Sequence, residues 1–151
     1  MDHQKTVTRI FTDGACRGNP GPGGWAWAAA RDRYASGAEG HTTNQRMELR
    51  AVLEALRSTP DGDVEIVSDS SYVVKCFNDQ WYVGWLRRGW RNSQGQPVAN
   101  RDIWEPLFDL ALRGGRSIVF SWVKGHSGDP MNEFVDALAT TAADRQRGAQ
   151  A

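Results

Sequence analysis

The sequence predicts an α/β protein in which helices pack on a mixed β-sheet. Three strand-like runs follow one another near the start of the chain, which is the pattern of an antiparallel meander. Farther along, strand-like runs alternate with helix-like segments, and a strand followed by a helix begins the crossover that joins parallel strands. Together these two patterns predict a sheet that contains both antiparallel and parallel pairs.

The meander occupies the first 42 residues. The first strand is predicted over residues 6–12, where β-branched and aromatic residues dominate. The turn GNPGPGG, residues 18–24, leads to a second strand over 25–31, and residues 37–42 supply the third. A helix is then predicted from about residue 43, with N-cap side chains in TTN at 42–44, and it ends at STPDG, residues 58–62.

The second half of the chain supplies two further strands and their helices. A strand over 64–68 is followed by the cap signal Asp69-Ser70 and a helix of about two turns. A helix from Asn100 or Asp102 to Leu112 precedes a strand over 117–123 with a near-continuous buried pattern, and Asp129-Pro130 opens the last helix. The tail, residues 145–151, is expected to be frayed.

Composition predicts one globular domain over residues 1–151, with disorder expected only at the ends. Apolar residues make up 40% and charged residues 24% of the chain, and the net charge is zero. The longest apolar run, residues 25–30, is too short to span a bilayer, and residues 1–5 lack the apolar core of a signal peptide. We therefore expect a cytoplasmic protein without membrane association. Cys16 and Cys76 are expected to be free thiols.

A segment rich in arginine and tryptophan lies between Gln80 and Arg101. It contains no acidic residue, and its composition permits two interpretations of equal weight. Basic groups beside aromatic faces are what a nucleic-acid surface needs. Alternatively, the aromatic residues form the core side of an amphipathic helix and the arginines form its solvated side. The residues concerned are Trp81, Tyr82, Trp85, Arg87, Arg88, Trp90, Arg91 and Arg101.

Four carboxylates lie at the ends of predicted buried strands or on or beside the apolar faces of predicted helices. Asp13 follows the first strand, Glu48 heads the apolar stripe of the first helix, and Asp69 ends a parallel-type strand, where open sheets place ligand crevices. Asp136 borders the apolar stripe of the last helix. Each position except Asp13 has a plausible structural explanation in isolation, as a cap or a surface acid. Four converging carboxylates repel one another, however, and hard divalent cations relieve that repulsion.

Oxygen-only ligands favour magnesium or manganese over zinc. Two such ions about 3.5 to 4 Å apart, bridged by a carboxylate, catalyse in-line attack of water on a phosphodiester. His126 lies in a loop between glycines, and its near-neutral pKa suits a proton shuttle, although a loop histidine is more often a solvated group. The sequence thus predicts metal-assisted phosphodiester hydrolysis.

Five segments, in their order and spacing, resemble type 1 ribonuclease H of the bacterial kind from about residue 7 to residue 143. They are TDGACRGNPGPGG, TTNQRMELRA, VSDSSYV, WYVGWLRRGW and WVKGHSGDPMNEFVDALA. The resemblance implies a sheet of three antiparallel and then two parallel strands flanked by helices. It also implies magnesium-dependent cleavage of the RNA strand of an RNA/DNA hybrid, with 5'-phosphate and 3'-hydroxyl ends.

The resemblance also assigns residues. The family's metal ligands fall on Asp13, Glu48, Asp69 and Asp136, with Asp13 shared by two ions, and its mobile histidine falls on His126. Asn19 and Asn44 match asparagines that contact the hybrid near the cut, and Thr43 and Asn100 match a pocket for a DNA-strand phosphate. The family's handle along the DNA strand corresponds to Trp81, Trp85 and the basic run that includes Arg87 and Arg88, which favours the nucleic-acid interpretation of that segment.

Two departures from the family pattern affect these expectations. Ser71 stands where relatives often carry a glutamine that reaches the hybrid. Pro106 lies inside the third predicted helix, so we expect this helix to start late or to kink and the position of Asn100 to shift. Three alternative functions fit the sequence less well. Another nuclease of this fold would not be expected to show the TTNQRMEL and WYVGWLRRGW stretches, and a hybrid-binding protein without catalysis would gain nothing from central carboxylates. Phosphate capture by GNPGPGG is disfavoured because its spacing matches no nucleotide-binding loop.

Overall fold

The structure is a computed structural model that describes residues 6–151. The expectation of disorder at residues 1–5 lies outside the described residues. The described part contains five strands and five helices in this order: β1 (Val7–Cys16), β2 (Gly21–Ala30), β3 (Arg33–Thr42), α1 (Asn44–Ser58), β4 (Asp63–Ser68), α2 (Ser71–Asn78), α3 (Trp81–Arg87), α4 (Arg101–Arg113), β5 (Ile118–Trp122) and α5 (Pro130–Arg145).

The strands form one mixed sheet in the order β3-β2-β1-β4-β5. β1 pairs antiparallel with β2 and β2 with β3, whereas β4 is parallel to β1 and β5 is parallel to β4. The predicted fold class is therefore confirmed: three antiparallel strands are followed by two parallel ones. Because β1 is the central strand, side chains at its carboxyl end lie in the middle of the sheet edge.

Helices cover both faces of this sheet. On one face, Ile10 of β1 and Ile66 of β4 pack with Leu53 of α1 and with the fully buried Trp104 of α4. On the other face, α5 packs against the strands in a smaller cluster whose buried members are Phe11, Ala26, Ala28, Val67, Val135 and Ala139. The sheet is therefore packed between two apolar layers. These layers fix the positions of polar side chains at the edge where β1 and β4 have their carboxyl ends.

The meander strands are longer than predicted. β1 continues through Asp13 to Cys16, and β2 begins at Gly21, so the glycines of residues 21–24 lie in a strand instead of a turn. The reason is close packing: a β-carbon at Gly24 would collide with the α5 backbone near Ala139 and Ala143. β3 likewise begins at Arg33, before the predicted start.

Two predictions about the sheet edges are wrong. β5 is an exposed edge strand in which Phe120 is buried but Val119 is 50% exposed, so its apolar sequence reflected β propensity and not burial. The tail is not frayed, because it pairs with the opposite edge. Ser36 N–H donates to the Ala149 carbonyl at 2.7 Å, and Ala151 N–H donates to the Tyr34 carbonyl at 3.0 Å.

The helix that contains Pro106 begins at Arg101, so the expected late start is wrong. Asn100 precedes it in the left-handed conformation, and its carbonyl accepts hydrogen bonds from the N–H groups of Ile103 and Trp104. Because proline has no N–H, the helix lacks one interior hydrogen bond at Pro106. The fully buried side chain of Trp104 holds this part of the helix against the core. Caps predicted elsewhere are confirmed at Thr43 and Asp129.

Both cysteines are free thiols, as expected; Cys76 is buried and Cys16 is half-buried. Within residues 6–151, no helix combines the length and the apolar character needed to cross a bilayer.

Candidate active site

Three of the four predicted carboxylates meet at the carboxyl edge of the sheet. One oxygen from each of Asp13, Glu48 and Asp69 lies within 4.8 Å of the others. Asp13 is 3% exposed, and the other two side chains are half-buried. Three acids so close together in a poorly solvated place form an oxygen-only donor set of the kind that hard divalent cations prefer.

The strand register explains how Asp13 meets Asp69. β4 ends at Ser68, which is paired with Thr12 of β1. β1 continues beyond that point and pairs there with β2 alone, Asp13 lying opposite Ala26. Asp69 directly follows β4, so its side chain lies beside Asp13 at the point where the parallel ladder stops. The sequence predicts that β1 ends before Asp13. In the structure Asp13 lies inside β1, and the strand that ends beside it is β4.

Glu48 reaches the cluster because α1 packs closely on β1. A β-carbon at Gly14 would collide with the Glu48 backbone nitrogen, so glycine at this position is what admits the first turn of α1. The stripe predicted for α1 is confirmed, since Ala51, Val52, Ala55 and Leu56 are all buried. Glu48 Oε2 is enclosed and has no hydrogen-bond partner among residues 6–151, an unsatisfied acceptor that a cation would satisfy.

The electrostatics of the cluster are those of carboxylates that need a counter-charge. Burial and the negative charge of Asp69 raise the pKa of Asp13 from 3.8 to about 8, partly offset by hydrogen bonds from Glu48 and the Gly14 N–H. Burial, followed by repulsion from Asp13, raises the pKa of Glu48 well above its ordinary value, and burial also raises the pKa of Asp69. Without a cation, the cluster therefore holds protons near neutral pH.

Asp136 lies on α5, outside the group of three. It is half-buried, and its negative charge raises the pKa of both Asp13 and Asp69, which places it at the margin of the cluster. One turn earlier on α5, Asn132 is 2% exposed, and its side chain lies near enough to Asp69 to lower the pKa of that carboxyl slightly. Its Oδ1 atom has no partner among residues 6–151. Asn132 was not predicted as a site residue, although it is a polar residue three positions before Val135 on the buried stripe.

His126 is exposed in the loop between β5 and α5 and adopts the left-handed conformation. Its positive form lowers the pKa of Asp69, so it lies near the cluster. The preceding Gly125 brings the loop against Asp69, because a β-carbon there would lie 2.9 Å from Asp69 Oδ2. A second neighbour of Asp69 was also missed from the sequence: the Trp122 indole N–H donates to the Asp69 main-chain carbonyl at 3.1 Å.

The predicted substrate residues form two pairs on the surface. Asn19 and Asn44 are both exposed, and the Asn19 side-chain oxygen accepts a hydrogen bond from the Asn44 N–H at 2.9 Å. Thr43 and Asn100 both contact Arg46: Thr43 Oγ1 accepts from its backbone N–H, and Asn100 Oδ1 accepts from its guanidinium at 3.4 Å. The structure thus brings the members of each pair together. It also adds Arg46 to the pair Thr43 and Asn100, and Arg46 forms an ion pair with Asp102.

The Trp81–Arg87 helix combines both interpretations of its sequence. Trp81 and Trp85 are half-buried against the core, yet together with Arg88 they line an open cleft of about 280 Å³. Arg87 and Arg88 are exposed. Trp90 stacks on Phe108, and Trp104 is fully buried, so those two tryptophans are packing residues.

Comparison with known proteins gives a consistent result across almost the whole chain. The model of the RNase H family matches residues 5–144. A curated ribonuclease H from Thermus thermophilus is 48% identical over 141 residues, covering 91% of this chain and 84% of that protein. A ribonuclease H from Paracidovorax citrulli is 48% identical over 143 residues, covering 92% of this chain and 95% of that protein. Among solved structures, LC9-RNase H1, described as a type 1 RNase H with the type 2 active-site motif, aligns with a TM-score of 0.80 at 28% identity, covering 100% of this chain and 80% of that one.

Proposed function

Because this chain belongs to the ribonuclease H family, we propose that it is an endonuclease that hydrolyses the RNA strand of RNA/DNA hybrids. The products would carry 5'-phosphate and 3'-hydroxyl ends. The observation that supports this most directly is the convergence of Asp13, Glu48 and Asp69 at the sheet edge. A surface that only bound a polyanion would gain nothing from carboxylates at its centre.

We propose that the acidic cluster holds two magnesium ions, for which manganese can substitute. Asp13 would be shared between them, Asp136 would hold the ion on the water side, and Glu48 and Asp69 would hold the ion on the leaving-oxygen side. When bound, such a pair of ions activates the attacking water and stabilises the leaving oxygen. The enclosed and unsatisfied Glu48 Oε2 and the raised pKa values of Asp13 and Glu48 support this assignment, because they show that these carboxyl groups ionise unfavourably without a nearby positive charge.

The remaining residues bind and orient the hybrid. Asn19 and Asn44, which are joined by the hydrogen bond from the Asn44 main-chain N–H to the Asn19 side-chain oxygen, would contact bases or riboses near the cut. The group Thr43, Arg46 and Asn100 would hold a DNA phosphate. Contact with the 2'-hydroxyl on one strand and with DNA on the other explains selectivity for a hybrid, since the hydroxyl alone distinguishes RNA at a given site. His126, exposed beside Asp69, would move a proton or assist product release.

The cleft between Trp81, Trp85 and Arg88 would lie along the DNA strand, with Arg87 beside it. The enzyme is proposed to be a single domain that acts as a monomer in the cytoplasm.

The test is a cleavage assay with end-labelled hybrid, double-stranded RNA, double-stranded DNA and single strands, each with and without magnesium. We expect cutting of the RNA strand of the hybrid with magnesium and no cutting in the other reactions. Asp69→Asn should abolish cutting while hybrid binding survives. Asp109→Asn, which removes an exposed carboxylate on α4, is the matched control and should cut at the parent rate.

Cutting by Asp69→Asn at the parent rate would refute the metal assignment. Cleavage of double-stranded DNA instead of the hybrid would favour the alternative of another nuclease of this fold, and hybrid binding without any cutting would favour a non-catalytic hybrid-binding protein.

A further inference from the structure

A pocket beside the acidic cluster has no role in the function proposed above. It lies at the sheet edge between the end of β5 and the first half of α2, and we call it the Trp122 pocket. Its volume is about 360 Å³, and it is lined by Ser71, Val74, Lys75 and Trp122. It is separate from the cleft at Trp81 and Trp85, which lies on α3 beyond the other end of α2.

The aromatic wall of this pocket is fixed relative to the cluster. Trp122 is 55% exposed, and within residues 6–151 it is the one aromatic side chain among the exposed large hydrophobic residues. Its indole N–H donates to the main-chain carbonyl of Asp69 at 3.1 Å, so the ring cannot turn away without breaking that bond. An exposed but immobilised aromatic face next to a phosphodiester-cleaving site is preorganised for a flat ligand.

The other walls match the remaining parts of a nucleotide. Val74 is buried and gives the pocket an apolar floor. Lys75 is exposed at the rim, and it forms no ion pair with any residue in the described range 6–151. An aromatic face for a base and an unpaired cation for a phosphate are the two components of single-strand binding sites.

From these observations we propose that the Trp122 pocket binds an unpaired nucleotide of the substrate, at the place where a single strand leaves the hybrid beside the cut. This inference rests on the proposed function. The nucleotide must be unpaired because a base inside a duplex offers only its edges, whereas stacking on an indole requires a base that is splayed out. The consequence is a preference for hybrids that end in a single-stranded extension.

The first experiment compares hybrids with the same paired sequence. One is flush-ended, one carries an RNA strand extended at its 5' side, and one carries an RNA strand extended at its 3' side. For one of the two extensions, kcat/KM should exceed that of the flush hybrid by about fivefold to tenfold. Trp122→Ala should reduce this ratio to about one, and Trp122→Phe, which keeps an aromatic ring, should retain most of it.

Ratios are used because loss of the indole bond to Asp69 can slow cutting of every substrate alike. Val119→Ala is the matched control, since Val119 is 50% exposed on the same strand but does not line the pocket, and it should leave the ratio unchanged. Lys75→Gln should lower the ratio partially and make it less dependent on salt concentration.

A second measurement detects stacking directly. A 2-aminopurine base placed in the favoured extension should lose fluorescence when the Asp13→Asn variant binds the hybrid, and adding Trp122→Ala should restore the fluorescence. A ratio of one for the parent enzyme with both extensions, or quenching that survives Trp122→Ala, would overturn the proposal while the function proposed for the acidic cluster stands. Failure of the parent to cut any hybrid would instead refute the proposed function.

Discussion

Gly125 lies against the carboxylate of Asp69 so closely that a β-carbon at position 125 would be 2.9 Å from Asp69 Oδ2. This contact joins the loop that carries His126 to the cluster, and the Trp122 indole holds the main chain of Asp69 from another direction. The position of Asp69 therefore depends on neighbours that come from the end of β5 and the loop after it.

Gly125→Ala should reduce activity without unfolding the protein. The added methyl group must displace either the loop or the Asp69 carboxylate. If Asp69 holds a metal ion as proposed, a shift of a fraction of an ångström misaligns the reacting atoms. We expect kcat/KM for hybrid cleavage to fall about tenfold, with a melting temperature close to the parent's. Gly40→Ala is the control, because the nearest atom to its new β-carbon would be 3.8 Å away. Parent activity in Gly125→Ala would show that the contact has no catalytic importance.

The metal-free protein should lose stability as the pH rises from about 4 to 8. In this interval the folded chain keeps the proton of Asp13, whose pKa is raised from 3.8 to about 8, while the unfolded chain has lost it. Because the folded state binds more protons, the free energy of unfolding decreases with increasing pH. Urea titrations in EDTA at several pH values measure this slope.

Asp13→Asn removes the titrating group and should raise the free energy of unfolding in EDTA at pH 7.5 by roughly 1–3 kcal/mol. Magnesium should stabilise the parent at this pH and have little effect on the variant, since the cation and the protons compete for the same carboxylates. Identical pH profiles of parent and variant would contradict the electrostatic description of the cluster.

Asn132→Ala should weaken the use of magnesium. The Asn132 amide supports Asp69 from α5, and loss of a group that orients a metal ligand commonly costs about tenfold in affinity or activity. The magnesium concentration for half-maximal cutting should rise, and Asn132→Gln should not restore it, because the longer side chain does not fit a position that is 2% exposed. Thr141→Ala, on an exposed position of the same helix, serves as the control. An unchanged magnesium dependence would limit Asn132 to a packing role.

Asp102→Asn should have a small effect on stability that disappears in acid. Arg46 on α1 donates two hydrogen bonds, of 2.9 and 2.7 Å, to Asp102 on α4, and they hold the pKa of Asp102 below its ordinary value of 3.8. A lowered pKa contributes stability above about pH 4, which is lost as the pH falls through the folded-state value. Because the Asp102 side chain is 63% exposed, we expect a loss of less than about 1 kcal/mol at pH 7 and none near pH 2. Calorimetry at both pH values measures it; an equal loss at both would indicate a packing effect.

The order of the elements and most of their caps could be predicted from the sequence because these features depend on local residues. The capping roles of Thr43 and Asp129 follow from side chains within three positions of the helix start, and the apolar stripe that Glu48 heads follows from the helical period. The family could also be predicted, since each of the five segments that carry the resemblance is a continuous stretch of the sequence.

Pairing and close contact could not be predicted in the same way. Whether Val119 is buried depends on what lies beside β5, and whether the tail is ordered depends on the free edge of β3. Neither neighbour is near in sequence, and backbone hydrogen bonds across a sheet carry no residue signature. Gly23 and Gly24 read as a turn for the same reason, because their actual role, admitting other elements to close packing with β2, involves residues far along the chain.

The sequence by itself determined the α/β class, the family and the four acidic side chains that define the proposed chemistry. Only the tertiary structure decided that Asp13 lies where β4 ends beside β1, that Gly14 and Gly125 admit α1 and the His126 loop, and that Asn132 and Trp122 support Asp69. The physical reason is that a residue's type and local period indicate what it can do. The side chains and glycines that hold a functional residue in place come from segments that are distant in the sequence. Packing between such segments leaves no local sequence pattern.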